Sequence, residues 1–313
     1  MVLVSVVIPL YNKKNYIGRA IRSVMMQTIE DFEIIIIDDG SIDGSGDVVK
    51  TFLDSRIRLI SQENQGVSIA RNNGVRNSRA DFIAFLDADD EWLPRQLEAL
   101  LRLRKKYPEA GAYTTAYKIR EPKGKTRLAY YKAIPEYPWE GLIPSFFKSA
   151  AIGDSPLNSS TIGITKAIFY DVGGYPENVW WGEDTDFWGR IALKYPIAFS
   201  WEIGTIYHWD ASDRVCGKPV VDMEPFVITG KEKLKNSQMD ELVRKDLEEY
   251  IARKELYRAA SHLFMGNTNQ ARYILMNTPS QYYKLRKNLL FSLSFMPQFI
   301  IRSVLGRFFI DPC

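Results

Sequence analysis

The feature that most constrains this chain is a series of short, strongly apolar runs that end at acidic or polar residues. The runs are VSVVIPL from residue 4, FEIIIID from residue 32 and DFIAFLD from residue 81. Between them lie stretches such as YIGRAIRSVMMQ and GVSIARNNGVRNS, whose apolar residues recur at helical spacing. This alternation predicts an α/β fold with a parallel sheet and helices on both faces, because parallel strands need crossover helices and are buried on both sides.

The composition is that of a folded globular protein. Hydrophobic residues make up 46% and charged residues 25% of the 313 residues, which is ordinary for a globular domain. A net charge of +3 is too small to indicate a nucleic-acid partner. After residue 220 the sequence becomes helical in pattern, so we predict an α/β domain over residues 1–220 and a helical region over residues 221–313.

The cysteines and the start of the chain bear on its compartment. Cys216 and Cys313 are the two cysteines, and they form neither a disulfide framework nor a metal-site spacing, which suits a reducing, cytoplasmic environment. A secretory signal has basic residues before its apolar core, whereas MVLVSVVIPLYNKK has them after it. We therefore expect the first apolar run to be a buried strand.

Polar clusters follow three of the predicted strands, at residues 9–12, 38–41 and 87–90. Ligands of open α/β sheets bind outside the carboxyl ends of the strands, so we expect the three clusters to converge on one edge. Each alone is equally typical of turns and helix N-caps. A calcium loop is excluded, because DGSIDGSGDVVK has Lys50 at the twelfth position, where an EF-hand needs Glu.

The segment FLDADDEWLP places four carboxylates within residues 87–91. Carboxylates that close repel one another unless a positive charge lies among them. The chain lacks the Gly-rich turn of dinucleotide folds after its first strand, and it has no P-loop. We therefore predict that these acids hold Mg²⁺ or Mn²⁺, which in turn binds a diphosphate.

Five segments in order resemble the family 2 glycosyltransferases, a large inverting group with the GT-A nucleotide-sugar fold. They are VSVVIPLYNKKNYIGRAIRSVMMQT, IIIIDDGSIDGS, NQGVSIARNNGV, FLDADDEWLP and GGYPENVWWGEDTDFWGRI, and together they span about residues 3–210. The resemblance implies a mostly parallel, Rossmann-like sheet flanked by helices. It also implies a nucleoside-diphosphate sugar as donor and a hydroxyl of a glycan or lipid-linked saccharide as acceptor.

The resemblance assigns one set of residues to the nucleoside of the donor. Pro9, Tyr11 and Asn12 correspond to the end of the first strand, which borders base and ribose. Asp39 corresponds to the acid that binds the pyrimidine edge, and a carboxylate suits this task because uracil N3–H is a donor. Arg71 corresponds to the residue that faces the base and the neighbouring acid. A UDP-sugar is therefore the favoured donor.

A second set is assigned to the diphosphate and the metal. Asp87 and Asp89 match the family's D-x-D motif, the first toward the ribose and the second on the metal. Asp90 either belongs to this site or caps the helix predicted directly downstream. His208, in TIYHWD, resembles a position that reaches the metal or the diphosphate, although a single histidine is often structural. Arg214 is a further candidate for binding the diphosphate.

The acceptor side is predicted in WWGEDTDFWGRIA. Glu183 and Asp184 resemble the family's E-D motif, in which Asp184 is the general base and Glu183 orients acceptor or base. Acids at a helix start are also ordinary partners of the helix dipole. Trp180 and Trp181 are either core residues or a stacking platform for a sugar ring.

One base and one metal suffice for direct displacement at the anomeric carbon, which inverts configuration without a covalent intermediate. Processive synthases of the family carry a Q-x-x-R-W motif, which is absent here, so we expect one transfer per encounter. Two other functions are considered. A catalytically silent nucleotide-sugar-binding or scaffold protein would lack the acids, and a sugar-phosphate nucleotidylyltransferase would need a Gly-rich first loop.

The C-terminal region predicts two antiparallel helices joined at GNTN, followed by an apolar tail. The stretch between Lys287 and Arg302 is shorter than the roughly 20 residues of a membrane span, and Pro297 interrupts it. We predict an amphipathic helix in the membrane interface, which makes the protein peripheral on the inner face of an anionic membrane. Its lipid-facing cations would be Lys284, Arg286, Lys287, Arg302 and Arg307. The alternative is a helix that closes the core or forms a dimer contact.

Overall fold

The structure is a computed structural model, and it describes residues 2–122, 124–211, 219–236 and 238–310, with side chains up to residue 306. The chain divides into two compact units. The first comprises Met1–Tyr130, Ile134–Pro144 and Pro156–Ser212, and the second comprises Tyr131–Ala133, Ser145–Ser155 and Asp213–Cys313. The sequence analysis had assigned all of residues 1–220 to one domain, whereas residues 145–155 cluster with the C-terminal unit.

The first unit is built on one mixed sheet. Along the described part of the chain the strands are β1 (Val4–Leu10), β2 (Phe32–Asp38), β3 (Ile57–Ser61), β4 (Phe82–Phe85), β5 (Glu91–Trp92), β6 (Ala112–Arg120), β7 (Thr126–Leu128), β8 (Glu140–Leu142), β9 (Gly163–Thr165) and β10 (Ile197–His208). Their order is β3-β2-β1-β4-β9-β6-β10-β5, with β7 beside β6 and β8 beside β10.

The parallel arrangement predicted from the apolar runs is confirmed for β3, β2, β1 and β4. Every residue of β1 and β2 is buried, as expected for strands covered on both faces. The other half of the sheet differs from a purely parallel arrangement, because β9 runs antiparallel to β4 and β5 runs antiparallel to β10. The sheet is therefore mixed, with one parallel block, β3-β2-β1-β4, and a second parallel pair, β6 with β10.

Helices flank this sheet and form the second unit. They are α1 (Ile17–Met25), α2 (Ser45–Lys50), α3 (Val67–Asn77), α4 (Gln96–Lys106), α5 (Phe146–Ile152), α6 (Lys166–Asp171), α7 (Glu183–Ala192), α8 (Pro225–Asn236), α9 (Glu241–Met265), α10 (Thr268–Met276), α11 (Lys284–Leu293) and α12 (Gln298–Ile310). The apolar face of α1 that the sequence predicts is buried in the core, through Ile17, Ala20, Ile21 and Val24.

The second unit contains the predicted helical hairpin. Helix α9 ends at Met265 and is capped by Gly266, whose φ of 91° places it in the left-handed region, and α10 begins at Thr268. Glycine adopts this conformation without the steric cost that a Cβ would bring, so GNTN ends one helix and turns the chain into the next.

The tail forms two helices, α11 and α12, rather than the single amphipathic helix expected from the sequence. Pro297 directly precedes α12 and lies in the break between them, where its missing N–H favours a new helix start. One face of each helix packs into a hydrophobic cluster with α9 and α10, through residues that include Leu256, Leu275, Leu290 and Ile301. Among the described residues, every helix is too short or too polar to cross a lipid bilayer.

The contact between α3 and β1 yields a test of the packing. A Cβ placed on Gly74 would lie 2.2 Å from Cγ1 of Val7, so Gly74→Ala should destabilise the first unit by about 1–3 kcal/mol through overpacking. In contrast, a Cβ on Gly18 of α1 would meet only the flexible end of Arg22 and a Val48 methyl, at 3.4 Å or more. Gly18→Ala should therefore be neutral or stabilising by about 0.5–1 kcal/mol.

All seven tryptophans of the chain lie within the residue ranges of the first unit, so urea unfolding followed by tryptophan fluorescence reports on that unit. Equal midpoints for the two variants would contradict this description of the α3 contact.

Candidate functional site

The three polar clusters predicted to converge do lie at one edge of the sheet. Strands β1, β2 and β4 are parallel neighbours, with Leu10 of β1 opposite Asp38 of β2 and Val7 of β1 opposite Phe85 of β4. The residues that follow the three strands therefore leave the sheet in the same direction. This edge is the candidate site.

The loops after β1 and β2 are held together by hydrogen bonds. The backbone N–H of Asn12 donates to Oγ of Ser41 over 3.0 Å, and the N–H of Ile42 donates to Oδ1 of Asn12 over 2.9 Å. Asn12 has a φ of 50°, a left-handed conformation that asparagine tolerates better than most residues. Pro9 lies inside β1, and Tyr11 is exposed beside the loop, so Tyr11 offers a free aromatic face at this edge.

Asp39 is almost fully buried, with 3% of its surface exposed. Its Oδ1 accepts from Nε2 of Gln62 over 2.7 Å and from the N–H of Gln65 over 2.9 Å, and its Oδ2 accepts from the N–H of Gly66 over 2.9 Å. The carboxylate thereby fixes the loop that leads into α3. A carboxylate has about four acceptor positions, so the predicted contact with a base would use the remaining capacity of Oδ2.

Arg71 lies at the centre of the site and is buried, with 3% of its surface exposed. Its Nη2 is 2.8 Å from Oδ1 of Asp87, and its Nη1 is 3.0 Å from Oε1 of Glu183. Its guanidinium also stacks on the ring of Tyr175, 5.0 Å from the centroid. One side chain of α3 thus connects the end of β4 with the start of α7.

The carboxylates after β4 do not share one environment. Asp90 is completely buried and accepts hydrogen bonds from the hydroxyl of Ser160 and from the N–H of His208. Burial raises its pKa well above the usual range, and the charges of Asp89 and Asp87 raise it further. Burial also raises the pKa of Asp87, and the charge of Asp89 adds to this shift while Arg71 opposes it.

The suggestion that Asp90 caps the following helix is wrong. Helix α4 begins at Gln96, and its N-cap position is Arg95, whose side chain makes no capping hydrogen bond. Asp90 is turned inward instead, where it joins the segments that carry Ser160 and His208. This role depends on distant parts of the chain, so local spacing in the sequence could not indicate it.

Asp89 is paired with a lysine that the sequence analysis did not single out. Nζ of Lys13 is 2.9 Å from Oδ2 of Asp89, and Arg19 donates to the backbone carbonyl of Asp89. Both cations come from the segment directly after β1, where YNKKNYIGR already shows a cluster of basic residues. That cluster was the available signal, because β1 and β4 were both expected to end at this edge.

His208 is buried between two further carboxylates. Its Nδ1 is 2.8 Å from Oδ1 of Asp210, and its Nε2 is 3.2 Å from Oε1 of Glu91. The hydrogen bond with His208 is the main cause that lowers the pKa of Glu91. Both ring nitrogens of His208 are therefore engaged, and its predicted role as a metal ligand would require one of these contacts to be exchanged.

The donor set decides what kind of cation could bind here. Across the described ranges, no group of three or more His, Cys, Asp or Glu side chains is arranged to hold a metal ion. Asp89 remains as a partly exposed carboxylate, with 19% of its side chain accessible. Mg²⁺ is often bound by one or two carboxylates together with substrate phosphates, so these residues fit a divalent cation that a diphosphate helps to hold.

The acids of the second predicted motif open α7. Gly182 precedes the helix with a φ of 74°, and Glu183 is its first residue, held by Arg71. Oδ1 of Asp184 accepts from the N–H of Thr185 over 2.6 Å, and its carboxylate is partly exposed. Tyr175 lies close enough to Asp184 for the charge of this carboxylate to affect the pKa of the tyrosine. Burial is the main cause that raises it, and the charge of Asp184 contributes.

The two tryptophans before α7 differ in exposure. Trp180 exposes 60% of its surface, whereas Trp181 is partly buried. Their ring centroids are 6.4 Å apart and the planes are inclined by 42°. The exposed indole of Trp180 is suited to stacking against another ring. Arg214 lies outside the described residues.

Comparison with known proteins gives a family match for part of the chain and relatives of similar sequence. The model of the family described as glycosyl transferase family 2 matches residues 5–158. An uncharacterized glycosyltransferase of Rickettsia conorii is 35% identical over 195 residues, which are 62% of this chain and 31% of that protein. The glycosyltransferase GlyA of Streptococcus pneumoniae is 36% identical over 124 residues, or 39% of this chain and 18% of that protein. The chain thus spans about a third or less of the length of these relatives.

Two solved structures have a similar fold. A fragment of S. aureus TarS in complex with UDP-GlcNAc superimposes with a TM-score of 0.67 at 16% identity, covering 99% of this chain and 92% of that one. The mannosyltransferase PcManGT of Pyrobaculum calidifontis, in complex with GDP-Man and Mn²⁺, gives a TM-score of 0.58 at 14% identity, covering 98% and 84%. The expected GT-A fold is therefore confirmed, and the family match assigns residues 5–158 of the chain to glycosyl transferase family 2.

Proposed function

We propose that this protein is a glycosyltransferase that moves one sugar from a nucleoside-diphosphate sugar to an acceptor hydroxyl with inversion at the anomeric carbon. The observation that carries the proposal is the pair of contacts made by Arg71. Its guanidinium holds Asp87, which belongs to the D-x-D segment, and Glu183, which precedes the proposed base. The acids proposed to bind the sugar donor and those proposed to bind the acceptor hydroxyl therefore lie next to each other.

A UDP-sugar is the proposed donor. Asp39 supports a pyrimidine base, because Oδ2 retains acceptor capacity for the N3–H of uracil. The exposed ring of Tyr11, next to Asn12, would border the base and ribose. The TarS fragment binds UDP-GlcNAc, whereas PcManGT binds GDP-Man. The fold accepts both kinds of base, and in our proposal Asp39 would select the pyrimidine.

Asp89 would hold the divalent cation, Mn²⁺ or Mg²⁺, together with the diphosphate. When bound, the cation neutralises the charge that develops on the leaving diphosphate. PcManGT contains Mn²⁺, which supports the same use here. Asp87 would bind the ribose side of the donor while Arg71 keeps it in place. In the proposed role for His208, one of its two carboxylate contacts would be replaced.

Asp184 would act as the general base. The acceptor hydroxyl gives its proton to the Asp184 carboxylate, its oxygen forms the new bond to the anomeric carbon, and the bond to the diphosphate breaks. The nucleoside diphosphate leaves with the electron pair. Glu183 is fixed by Arg71, so it would orient the acceptor or the base rather than take the proton. A single base is sufficient for such a displacement.

The acceptor would lie against Trp180 and Trp181. The exposed indole of Trp180 offers an apolar face to a sugar ring, and both residues directly precede the acids of α7. We propose a glycan or a lipid-linked saccharide as acceptor, with one transfer per encounter.

The test of the base separates catalysis from binding. Asp184→Asn keeps the shape of the side chain but cannot take a proton, so turnover should fall by roughly 10²-fold or more while affinity for UDP stays within a few-fold. Turnover is measured as UDP released from UDP-sugars in the presence of Mn²⁺, and affinity by calorimetry. Glu177→Gln is the control, because Glu177 is a half-exposed acid that pairs with Arg76 at the surface, and it should behave as wild type.

Normal turnover in Asp184→Asn would contradict the assignment. A wild-type protein that binds UDP-sugars but never releases UDP would instead be a catalytically silent nucleotide-sugar-binding protein.

We also propose that the tail places the protein on the cytoplasmic face of an anionic membrane. From residue 256 to residue 310 the sequence contains seven Lys or Arg residues and no Asp or Glu. The faces of α11 and α12 that point away from α9 and α10 expose large apolar side chains. Leu285, for example, exposes 87% of its surface. Others in this set, here called the tail surface, are Leu289, Phe295, Met296, Phe299 and Val304.

The structure indicates which of the predicted lysine and arginine side chains are available to contact anionic lipid beside the tail surface. Lys284 and Arg302 are exposed. Lys287 donates to the carbonyl of Thr278 over 2.7 Å, and burial lowers the pKa of Arg286. Side chains beyond residue 306, including that of Arg307, lie outside the described part of the chain. Exposed apolar groups flanked by cations fit an anionic lipid surface, since insertion and charge attraction then act together.

A vesicle experiment tests the tail surface. The double variant Leu285→Glu, Leu289→Glu should lose co-sedimentation with vesicles of phosphatidylglycerol and phosphatidylcholine, because it puts two charges on the inserting face. Leu53→Glu is the control, since Leu53 is 99% exposed but belongs to the first unit. Wild-type binding should weaken as salt rises. Wild-type protein that stays in the supernatant with anionic vesicles at low salt would contradict the membrane proposal.

A further inference from the structure

Lys13 occupies the carboxylate on which the proposed cation depends. Its ammonium lies 2.9 Å from Oδ2 of Asp89, and the two side chains expose only 18% and 19% of their surfaces. A pair that is mostly shielded from water interacts more strongly than a surface pair, because less solvent screens it. Asp89 is therefore neutralised by a group of this chain.

The backbone at Lys13 is fixed on both sides. Its N–H donates to Oγ of Ser45 over 2.9 Å, and its carbonyl accepts from the N–H groups of Tyr16 and Ile17, each over 2.9 Å. The next N–H, that of Lys14, donates to Oδ2 of Asp43 over 2.9 Å. With its backbone anchored, Lys13 brings its amine to Asp89 on a flexible four-carbon stem, and the amine also lies 5.9 Å from the centroid of the Tyr16 ring.

A divalent cation and this ammonium compete for the same group. An ammonium on Oδ2 of Asp89 takes up acceptor capacity and neutralises charge that a metal would use at the same oxygen. A cation on the other carboxylate oxygen would still lie close to the ammonium, and like charges at that separation repel. A diphosphate changes the balance, because it offers Lys13 a new anionic partner, and lysine binds phosphate well as a point charge.

We propose that Lys13 couples cation binding to nucleotide binding, by holding Asp89 until a diphosphate arrives and then moving onto the diphosphate. This rests on the proposed function, in which Asp89 holds the cation. It makes Lys13 a positioning residue whose effect is positive cooperativity between the two ligands. Coupling of this kind is reciprocal, so UDP raises the affinity for Mn²⁺ by the same factor that Mn²⁺ raises the affinity for UDP.

The experiment measures Mn²⁺ binding to the full chain by electron paramagnetic resonance of free Mn²⁺, with and without UDP. The wild type should bind Mn²⁺ weakly alone and about 10-fold or more tightly with UDP, a size common for coupled sites. Lys13→Met should bind Mn²⁺ alone about 10-fold more tightly than wild type and should lose most of the enhancement by UDP. Lys13→Arg keeps the charge and should retain the enhancement.

Lys14→Met is the matched control, because it removes the neighbouring positive charge without touching the pair with Asp89. It should show the wild-type enhancement. Lys13→Met with unchanged Mn²⁺ affinity and unchanged enhancement would overturn the inference while leaving the proposed function intact. A wild-type protein that binds UDP but never Mn²⁺ would overturn both the inference and the proposed cation.

Discussion

The paired contacts of the Arg71 guanidinium are the interaction on which the rest of the site depends. A buried guanidinium is tolerated because Asp87 and Glu183 each accept from it, and those carboxylates are tolerated because it is there. Removal of one partner from a buried ion pair leaves an uncompensated charge, which costs about 3–5 kcal/mol. Three segments are thereby held in one arrangement, and the one that carries Glu183 lies 112 residues from Arg71 in the sequence.

The same reasoning explains how four carboxylates coexist after β4. Three are paired with cationic or titratable groups, Asp87 with Arg71, Asp89 with Lys13 and Glu91 with His208. Asp90 has no such partner among the contacts described above. Its raised pKa favours the neutral form, and its hydrogen bonds with Ser160 and His208 hold it in the interior. The charge is thus distributed over separate counter-ions, and Asp89 is the member whose counter-ion sits on a flexible stem.

Features of this structure that depend on residues close together in the sequence could be predicted, whereas features that depend on distant residues could not. The strands β1, β2 and β4 and the helices α1 and α3 were predicted because their apolar spacing is local. Strands β5 and β9 were not, because segments of two and three residues carry no periodicity. The inward turn of Asp90 and the pair of Lys13 with Asp89 depend on partners distant in sequence, which spacing alone does not identify. The division of the tail into α11 and α12, in contrast, falls at Pro297, a local signal.

A double-mutant cycle between Arg71 and Glu183 tests the central claim most directly. Arg71→Met, Glu183→Gln and the double variant are unfolded in urea, with tryptophan fluorescence as the signal for the first unit. If the guanidinium joins the two halves of the site as described, the free energies of unfolding should deviate from additivity by about 1.5–3 kcal/mol, as residues in one ionic network do. Effects that add to within about 0.5 kcal/mol, as for independent sites, would contradict the account.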